Sequence, residues 1–291
     1  MNYRHIYHAG NFADVVKHTI LLLLLQKLKV KEKPFAVLDA FAGIGLYDLS
    51  SQEAQKTMES RNGVGCLFPS GETKCGPDDL LAPKAFGSSP KGTMPAIITQ
   101  YLRIIGLEAG SYPGSPMLIA SSLRDQDHLI AAELHPADYA TLKRNMSYIP
   151  NVHVHHIDAY RAIKAFCPPK EKRGLVLLDP AFEVRDEFEK VLDAVRMVKK
   201  RFAGGMLMLW YPIKDRKLVD NFYKHYKEIG YTQTTTIEFE IKASEGMNKC
   251  GIMISNPPYI EEELQELMEY LAQVMHGRYK LVAPGLDPRV S

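Results

Sequence analysis

The sequence predicts an α/β protein whose centre is a doubly wound, mostly parallel β-sheet of seven strands. Three observations lead to this fold class. Strand-like and helix-like segments alternate through residues 129–229, as in right-handed crossovers of a parallel sheet. The apolar run 175–178 indicates a strand buried on both faces, and it ends abruptly at Asp179-Pro180. A loop containing Gly43 and Gly45 follows the first strand, at residues 35–39.

The elements follow one another in a regular order. A very apolar helix is predicted at residues 14–30, with Asp14 as its N-cap. Strand-like segments recur five times, at residues 35–39, 129–133, 152–157, 175–178 and 206–210. Helical patterns fall at residues 136–146, 159–166, 186–201 and 215–229, and again at 261–275.

Two later strands, at residues 234–241 and 251–255, are close enough to pair as an antiparallel hairpin. We expect the second of them to be the outer member of this pair, with no sheet strand after it. The motif Asn256-Pro-Pro-Tyr259 ends this strand. Its position therefore predicts a strand exit before the acidic helix, away from the ligand-binding edge of the sheet.

Residues 40–128 separate the first strand from the second, which is far more than a crossover usually needs. Residues 60–92 are crowded with glycine and proline and indicate an irregular loop, and residues 95–107 indicate a helix. We therefore divide the chain into a main domain of residues 1–49 and 127–291 and an inserted helical and loop subdomain of residues 50–126. This insertion is a candidate for substrate recognition.

Composition limits the class of protein. The net charge of +2 does not indicate a strongly basic nucleic-acid binder, and 46% hydrophobic residues support a large core. The four cysteines have no metal-ligand spacing and suggest reduced thiols in a cytosolic protein. The longest aliphatic run is too short to span a bilayer, and the N-terminus lacks a signal peptide's apolar core. We expect a cytoplasmic protein.

Acidic residues close four successive predicted strands: Asp39, Glu133, Asp158 and Asp179. Because parallel strands end at one sheet edge, where open α/β sheets bind ligands, these acids are candidate site residues. A dinucleotide fingerprint fails, because Asp48 stands where its third glycine belongs. Asp39 followed by Ala42-Gly43-x-Gly45 is instead typical of the loop that cradles S-adenosylmethionine in class I methyltransferases. A carboxylate at Glu133 suits ribose hydroxyls, and one at Asp158 suits the adenine amino group.

The segment Asp179-Pro180-Ala181-Phe182 places a carboxylate, a backbone carbonyl and an aromatic ring at a strand end. A planar heterocycle with an exocyclic amine fits such a group, because the ring stacks and the amine donates to two oxygens. Five strands followed by a hairpin is also the order found in Rossmann-like methyltransferases. The predicted fold is therefore that of a Rossmann-like class I methyltransferase.

Several motifs together resemble the bacterial 23S rRNA adenine-2030 N6-methyltransferase family. The residues that carry the resemblance are Tyr3-Arg4-His5-x-x-His8-Ala9-Gly10-Asn11-x-Ala13-Asp14-Val15-x-Lys17-His18, Leu38-Asp39-x-x-Ala42-Gly43-x-Gly45, Tyr112-Pro113-Gly114-Ser115-Pro116, Glu133-Leu134-His135-Pro136 and Leu178-Asp179-Pro180-x-Phe182-Glu183. They occur in the family's order over nearly the whole chain.

The resemblance implies a role for each matching residue. Lys17, His18 and Ser115 would hold the methionine end of S-adenosylmethionine, Glu133 its ribose and Asp158 its adenine. Asp179 would be the catalytic acceptor, with Pro180 and Phe182 beside it, and Tyr3 would touch the RNA, with Arg4 in the same arm. The family usually has His in place of Phe41 and Asp-Pro-Pro-Tyr in place of Asp179-Pro-Ala-Phe182. Phe41 is kept with Asp39, Gly43, Gly45 and Asp179 as a candidate cofactor contact.

Two alternatives remain open from sequence. The motif chemistry alone does not exclude a DNA adenine N6-methyltransferase, and the altered Asp-Pro-Ala-Phe motif gives some support to a catalytically silent nucleic-acid-binding protein of the same fold. The histidine groups lack a completing carboxylate or cysteine at metal spacing, so no metal is expected. We expect a monomer that acts on 23S rRNA, either naked or in an early assembly intermediate, without a membrane partner.

Overall fold

The computed structural model describes residues 4–68, 93–107, 111–183, 186–242 and 247–282. Within these ranges the helices are α1 (Phe12–Lys29), α2 (Gln52–Thr57), α3 (Ala96–Leu107), α4 (Ser115–Ala120), α5 (Pro136–Met146), α6 (Ala159–Phe166), α7 (Glu187–Arg201), α8 (Arg216–Glu228) and α9 (Glu261–Val274). The strands are β1 (Ala36–Asp39), β2 (Leu46–Asp48), β3 (Ser111–Pro113), β4 (His128–Glu133), β5 (Val152–His156), β6 (Gly174–Leu178), β7 (Met206–Pro212), β8 (Thr234–Ile241), β9 (Lys249–Ser255) and β10 (Gly277–Val282).

The described strands form a main sheet in the order β10-β8-β9-β7-β6-β1-β4-β5. β5, β4, β1, β6 and β7 are parallel neighbours, and β9, β8 and β10 continue the sheet antiparallel. The predicted α/β class with a mostly parallel core is confirmed. The predicted count of seven strands is wrong: β10 adds an eighth among the described residues, pairing with β8 at the sheet edge.

The predicted position of the strand that ends at Asn256 is also wrong. β9 does pair antiparallel with β8, as expected, but it lies between β7 and β8 and is therefore the inner member of the pair. β10 follows it in the chain, so β9 is not the last sheet strand. Pairing on both edges explains why six of its seven residues, 250 to 255, are buried with apolar or small side chains.

Helices cover both faces of the sheet. On one face, α1, α3, α4, α5 and α9 contribute buried side chains to one apolar cluster. On the other face, α6, α7 and α8 contribute to a second cluster. This two-sided cover is the doubly wound arrangement, and it explains why the parallel strands β1 and β6 are buried along their whole length.

α1 is unusual because both its apolar and several of its polar side chains are buried. Its N-cap is Asn11, whose side chain accepts from the backbone N–H of Asp14 at 2.9 Å. The predicted N-cap, Asp14, lies inside the first turn instead. Its carboxylate is therefore free to bind side chains of the same helix, and α1 brings this polar group to the sheet edge.

The segment between β1 and β4 packs on the main core where it is described. Tyr101 of α3 and Met117 of α4 lie in the same apolar cluster as α1. β2 pairs antiparallel with β3, which ties the two ends of the segment together. Most of its Gly/Pro-rich part, residues 69–92, lies outside the described residues. The division at residues 50 and 126, and a role of the insertion in substrate recognition, stay predictions.

No helix in the described part of the chain has both the length and the apolar composition needed to cross a membrane. Cys66, Cys167 and Cys250 are free thiols, and Cys75 lies outside the described ranges.

Candidate active site

A cleft of about 1000 Å³ opens at the carboxyl ends of the parallel strands. The loops after β1, β4, β5, β6 and β7 line it, together with the first turns of α1 and the N-terminal arm. A right-handed, doubly wound sheet places ligands at this edge. The cleft therefore lies where the strand-ending acids were expected to meet.

The structure brings most of the predicted site residues to this cleft: Arg4, Lys17, His18, Phe41, Gly43, Ser115, Glu133, Asp158, Asp179, Pro180 and Phe182. Asp39 and Gly45 lie immediately behind the lining. Asp39 is fully buried, and the carbonyl of Gly45 accepts from the N–H of Gly114 at 2.8 Å. Tyr3 lies outside the described residues.

The chain leaves the sheet after β6 in a tight turn. Phe182 adopts a left-handed conformation, with φ of 50°, which a residue with a bulky side chain rarely does. Its ring packs against Phe188, at 4.8 Å between centroids, and edge-on against Trp210, at 6.0 Å. These contacts hold the strained turn, so Asp179, Pro180 and the Phe182 ring are presented to the cleft as one rigid group.

A buried ion-pair network joins α1 to Asp179. The ammonium of Lys17 donates to Asp14 Oδ1 at 2.8 Å and to Asp179 Oδ2 at 2.5 Å. Asp14 Oδ2 also accepts from the N–H of Gly10 and bonds His5 Nε2, both at 2.9 Å. Burial alone would lower the pKa of Lys17, but the two carboxylates outweigh it and raise the pKa. Lys17 is therefore a permanent cation that occupies one oxygen of Asp179.

Asp39 ends β1 beneath this network. Its Oδ2 accepts from the hydroxyl of Ser115 at 2.7 Å. Burial raises the pKa of the Asp39 carboxyl to about 7, although the Ser115 hydrogen bond opposes the rise. Ser115 opens α4, so the predicted pair Asp39 and Ser115 is in direct contact.

Glu133 closes the loop that follows β1. Its two carboxylate oxygens accept from the backbone N–H groups of Gly43, at 2.9 Å, and His135, at 2.8 Å. Burial raises the pKa of Glu133, and these hydrogen bonds limit the rise. Gly43 has φ of +63°, and a Cβ there would lie 2.2 Å from the Tyr47 hydroxyl oxygen. Only glycine fits this position without displacing Tyr47.

Asp158 and His18 line the cleft from two other elements. Asp158 caps α6, and its Oδ1 accepts from the N–H groups of Tyr160 and Arg161. His18 is 1% exposed, and burial lowers its pKa to about 3, so its imidazole is neutral. Its Nδ1 lies 2.9 Å from the hydroxyl of Tyr112.

Asn256 is not among the residues that line the cleft. Its side chain donates to the backbone carbonyls of Ala203 and Gly205, both at 2.8 Å. The Asn-Pro-Pro-Tyr motif thus fixes the end of β9 to the loop before β7. It lies outside the cleft lining, as predicted, even though β9 is an inner strand of the sheet.

From sequence, Asp14 was assigned a role only as a helix cap, besides its place in the N-terminal motif, and Tyr47 was assigned no role. The spacing of Asp14, Lys17 and His18 at i, i+3 and i+4 places all three on one helix face, and this signal was present in the sequence. No local pattern indicates that Tyr47 packs beneath Gly43.

Comparison with known proteins gives a consistent result. A family model described as "Ribosomal RNA large subunit methyltransferase D, RlmJ" matches residues 90–281. The protein named ribosomal RNA large subunit methyltransferase J from Haemophilus influenzae is 36% identical over 285 residues, 94% of each chain. This chain belongs to that family. The protein of the same name from Escherichia coli K12 is 32% identical over 280 residues, 93% of this chain and 92% of that one.

Membership of the large-subunit rRNA methyltransferase family confirms the resemblance read from the motifs, and it makes the chain a methyltransferase. A crystal structure of a Legionella pneumophila protein superposes with a TM-score of 0.81 at 30% identity, covering 96% of this chain and 99% of that chain. The Rossmann-like methyltransferase fold is thereby confirmed.

The cleft has the chemistry that an adenosyl cofactor requires. The left-handed Gly43 lets backbone approach a ligand closely, and the Glu133 carboxylate retains lone pairs for hydroxyl donors. The residues present therefore fit the cofactor type that the glycine loop predicted.

Proposed function

We propose that this protein transfers a methyl group from S-adenosylmethionine to the exocyclic N6 of one adenine in 23S rRNA, of the position-2030 type. The observation that carries the proposal is the group at the end of β6. Asp179 Oδ1 and the Pro180 carbonyl accept no hydrogen bond from the described residues, and both belong to residues that line the cleft beside the Phe182 ring. Two acceptors and an aromatic face suit an amino group on a planar base.

Each of these groups has a distinct part in the reaction. The adenine amine is a poor nucleophile because its lone pair is delocalised into the ring. Asp179 Oδ1 and the Pro180 carbonyl accept its two N–H bonds, which aims the lone pair at the methyl group. Lys17 holds the other Asp179 oxygen, so the carboxylate has one orientation. Asp179 is placed to accept the proton that the nitrogen loses as the N–C bond forms.

The target base must leave its stack to reach this group. Phe182 holds the extruded base by stacking, which contributes about 1–3 kcal/mol. The rigid turn at Phe182 matters here, because orientation rather than chemical activation supplies most of the rate enhancement. Phe182 lacks the hydroxyl of a tyrosine but keeps the stacking face.

We assign each part of the cofactor to residues at the cleft. Glu133 would hold its ribose and Asp158 its adenine, while Lys17, His18 and Ser115 would hold its methionine end. S-adenosylmethionine supplies an electrophilic methyl group on a sulfonium, so the protein has only to orient donor and acceptor. Phe41, Gly43, Gly45 and Asp39 complete the loop around it.

The substrate we propose is 23S rRNA, naked or in an early assembly intermediate, bound by a monomer in the cytoplasm. Arg4 lies exposed at the rim of the cleft, where a guanidinium can contact a phosphate. Tyr3, next to it in sequence, is the candidate for stacking on the RNA.

Methyl transfer from labelled S-adenosylmethionine tests the proposal. Protein-free 23S rRNA lacking the modification is compared with duplex DNA, and products are digested to nucleosides. N6-methyladenosine from RNA alone supports the proposal, whereas label in DNA alone assigns the chain to the DNA class. Absence of label in naked rRNA directs the same assay to early assembly intermediates.

The variant Asp179→Ala should abolish turnover and leave cofactor binding within about threefold. Asp193→Ala is the matched control, because Asp193 is an exposed aspartate of α7 that pairs with Arg196 of the same helix. A near-normal rate for Asp179→Ala contradicts the assigned role.

A further inference from the structure

Two buried tyrosines from the segment between β1 and β4 form a hydroxyl chain that ends on His18. The Tyr101 and Tyr112 hydroxyl oxygens are 2.7 Å apart, and the Tyr112 oxygen is 2.9 Å from His18 Nδ1. All three residues are at most 1% exposed. The cleft is reached only at the His18 end, because neither tyrosine lines it.

The hydrogens in this chain can be arranged in few ways. If His18 donated from Nδ1 to Tyr112, one of the two phenol hydrogens would have no acceptor among the described residues. A buried donor without a partner costs about 1–3 kcal/mol. If Tyr101 donates to Tyr112 and Tyr112 donates to Nδ1, both phenol hydrogens are paired. The remaining donor, Nε2–H, then belongs to His18, the member of the chain that lines the cleft, where a ligand or solvent can accept from it. The arrangement that leaves no phenol hydrogen unpaired in the core is therefore the stable one.

The direction of these hydrogen bonds determines which imidazole nitrogen of His18 carries the hydrogen and can donate to a ligand. A neutral imidazole carries one N–H, and burial keeps His18 neutral by lowering its pKa to about 3. With Nδ1 as the acceptor, the hydrogen is on Nε2. Asp14 Oδ1 lies 4.0 Å from Nε2, which is too far for a hydrogen bond. The Nε2–H group is thus available as a donor to the cleft.

We propose that Tyr112 is a positioning residue: its hydroxyl, oriented by Tyr101, fixes His18 as the Nε2–H tautomer and holds the ring so that this N–H serves the carboxylate of the cofactor's methionine end. The part of the proposal that concerns the cofactor rests on the proposed function. The part that concerns the tautomer of His18 rests on the contacts alone. Through Tyr101 and Tyr112, α3 and β3 of the inserted segment would contribute indirectly to cofactor binding.

The first test measures the tautomer without any ligand. The imidazole nitrogens of His18 are read from nitrogen-15 spectra of histidine-labelled protein and assigned by loss of the signal in His18→Gln. We expect a single Nε2–H tautomer in the wild type. A predominant Nδ1–H tautomer overturns the proposal, whether or not the protein methylates RNA.

The second test compares Tyr112→Phe with Tyr101→Phe. Each removes one hydroxyl from the same buried cluster, but only Tyr112→Phe removes the donor to Nδ1. We expect the calorimetric Kd for S-adenosylmethionine and for S-adenosylhomocysteine to rise about fivefold to tenfold in Tyr112→Phe. Tyr101→Phe should stay within about twofold, because Tyr112 can still donate to His18.

Two results of this comparison overturn the proposal: an unchanged Kd in Tyr112→Phe, or an equal rise in both variants, which would indicate packing rather than hydrogen bonding. Thermal unfolding and kcat on saturating cofactor are recorded for both variants, and kcat should stay within about twofold. If the wild type binds no cofactor, the proposed function fails, and with it the role of His18 toward the cofactor. The nitrogen-15 measurement still decides whether Tyr112 fixes the tautomer of His18.

Discussion

Asp14→Asn is the substitution that most directly tests the buried network. The carboxylate of Asp14 is 2% exposed and meets three donors: His5 Nε2, the N–H of Gly10 and Lys17 Nζ, at 2.9, 2.9 and 2.8 Å. An asparagine of the same shape offers one oxygen and an NH₂ group. At least one donor then loses its acceptor, and the new N–H group faces a donor.

Removing one partner of a buried ion pair usually costs about 3–5 kcal/mol. Lys17 keeps Asp179 as a partner in the variant, so we expect the free energy of unfolding to fall by about 3 kcal/mol, at the lower end of this range. Domains are typically stable by only about 5–15 kcal/mol, so the loss is readily measured.

Urea unfolding followed by circular dichroism gives the measurement. Asp215→Asn is the control, because Asp215 is an exposed N-cap of α8 and asparagine caps equally well. We expect a change below about 0.5 kcal/mol for this control. A loss below about 1 kcal/mol in Asp14→Asn would refute the reasoning, because the carboxylate would then be dispensable.

The stability that the Asp14 carboxylate contributes should decrease as the pH falls. Burial alone would raise the pKa of Asp14, but His5, Lys17 and His18 outweigh it and hold the pKa well below its usual 3.8. A lowered folded-state pKa stabilises the fold fully above the unfolded pKa, about 3.9, and this stabilisation is lost as the pH falls through the folded value. The difference between wild type and Asp14→Asn should therefore be constant above about pH 5 and narrow below about pH 4.

Three further predictions concern the rim, the glycine loop and the Asn-Pro-Pro-Tyr motif. Gly43→Ala should lower the free energy of unfolding by about 1–2 kcal/mol and weaken S-adenosylhomocysteine binding, because φ is +63° and Tyr47 blocks a Cβ. A thermal-shift assay with and without S-adenosylhomocysteine checks this. Gly204→Ala is the control, because nothing lies within 4 Å of a Cβ at that position. Arg4→Ala should weaken RNA binding and reduce the salt slope of log Kd by about 1, and an unchanged slope excludes a phosphate contact. Asn256→Ala should cost about 1–2 kcal/mol in urea unfolding and leave kcat unchanged, whereas loss of kcat in the folded variant would place catalysis at that motif.

Most of the main sheet could be predicted from sequence because most of its parallel strands are short, mainly apolar runs, whereas β5 instead alternates valine and histidine. β10 could not, because Gly277–Val282 mixes charged and apolar residues, as an edge strand with one partner does. β2 and β3, with three residues each, are too short to give a periodic signal. The inner position of β9 depends on strand order, which local patterns do not specify.

Part of the candidate site could also be predicted from sequence, namely the residues at the ends of the parallel strands. Asp39, Glu133, Asp158 and Asp179 could be assigned to one region because parallel strand ends must meet at one edge. Contacts between distant side chains gave no local signal. The Tyr112 hydroxyl reaches His18 across 94 positions of sequence, and that contact depends on how α3, β3 and α1 pack together.

The ion pair between Lys17 and Asp179 also constrains how the protein is made. Its two residues are 162 positions apart. At synthesis rates of about 5–20 residues per second, Lys17 precedes its partner by about 8–30 s. The leucine-rich α1 must therefore leave the ribosome long before β6 can cover it, and native burial of the Lys17 charge cannot be completed until then. The contact between Lys17 and Asp179 thus forms only after more than half of the chain has been made, and a nascent chain that stops before β6 leaves α1 without the β6 side chains that share its apolar cluster.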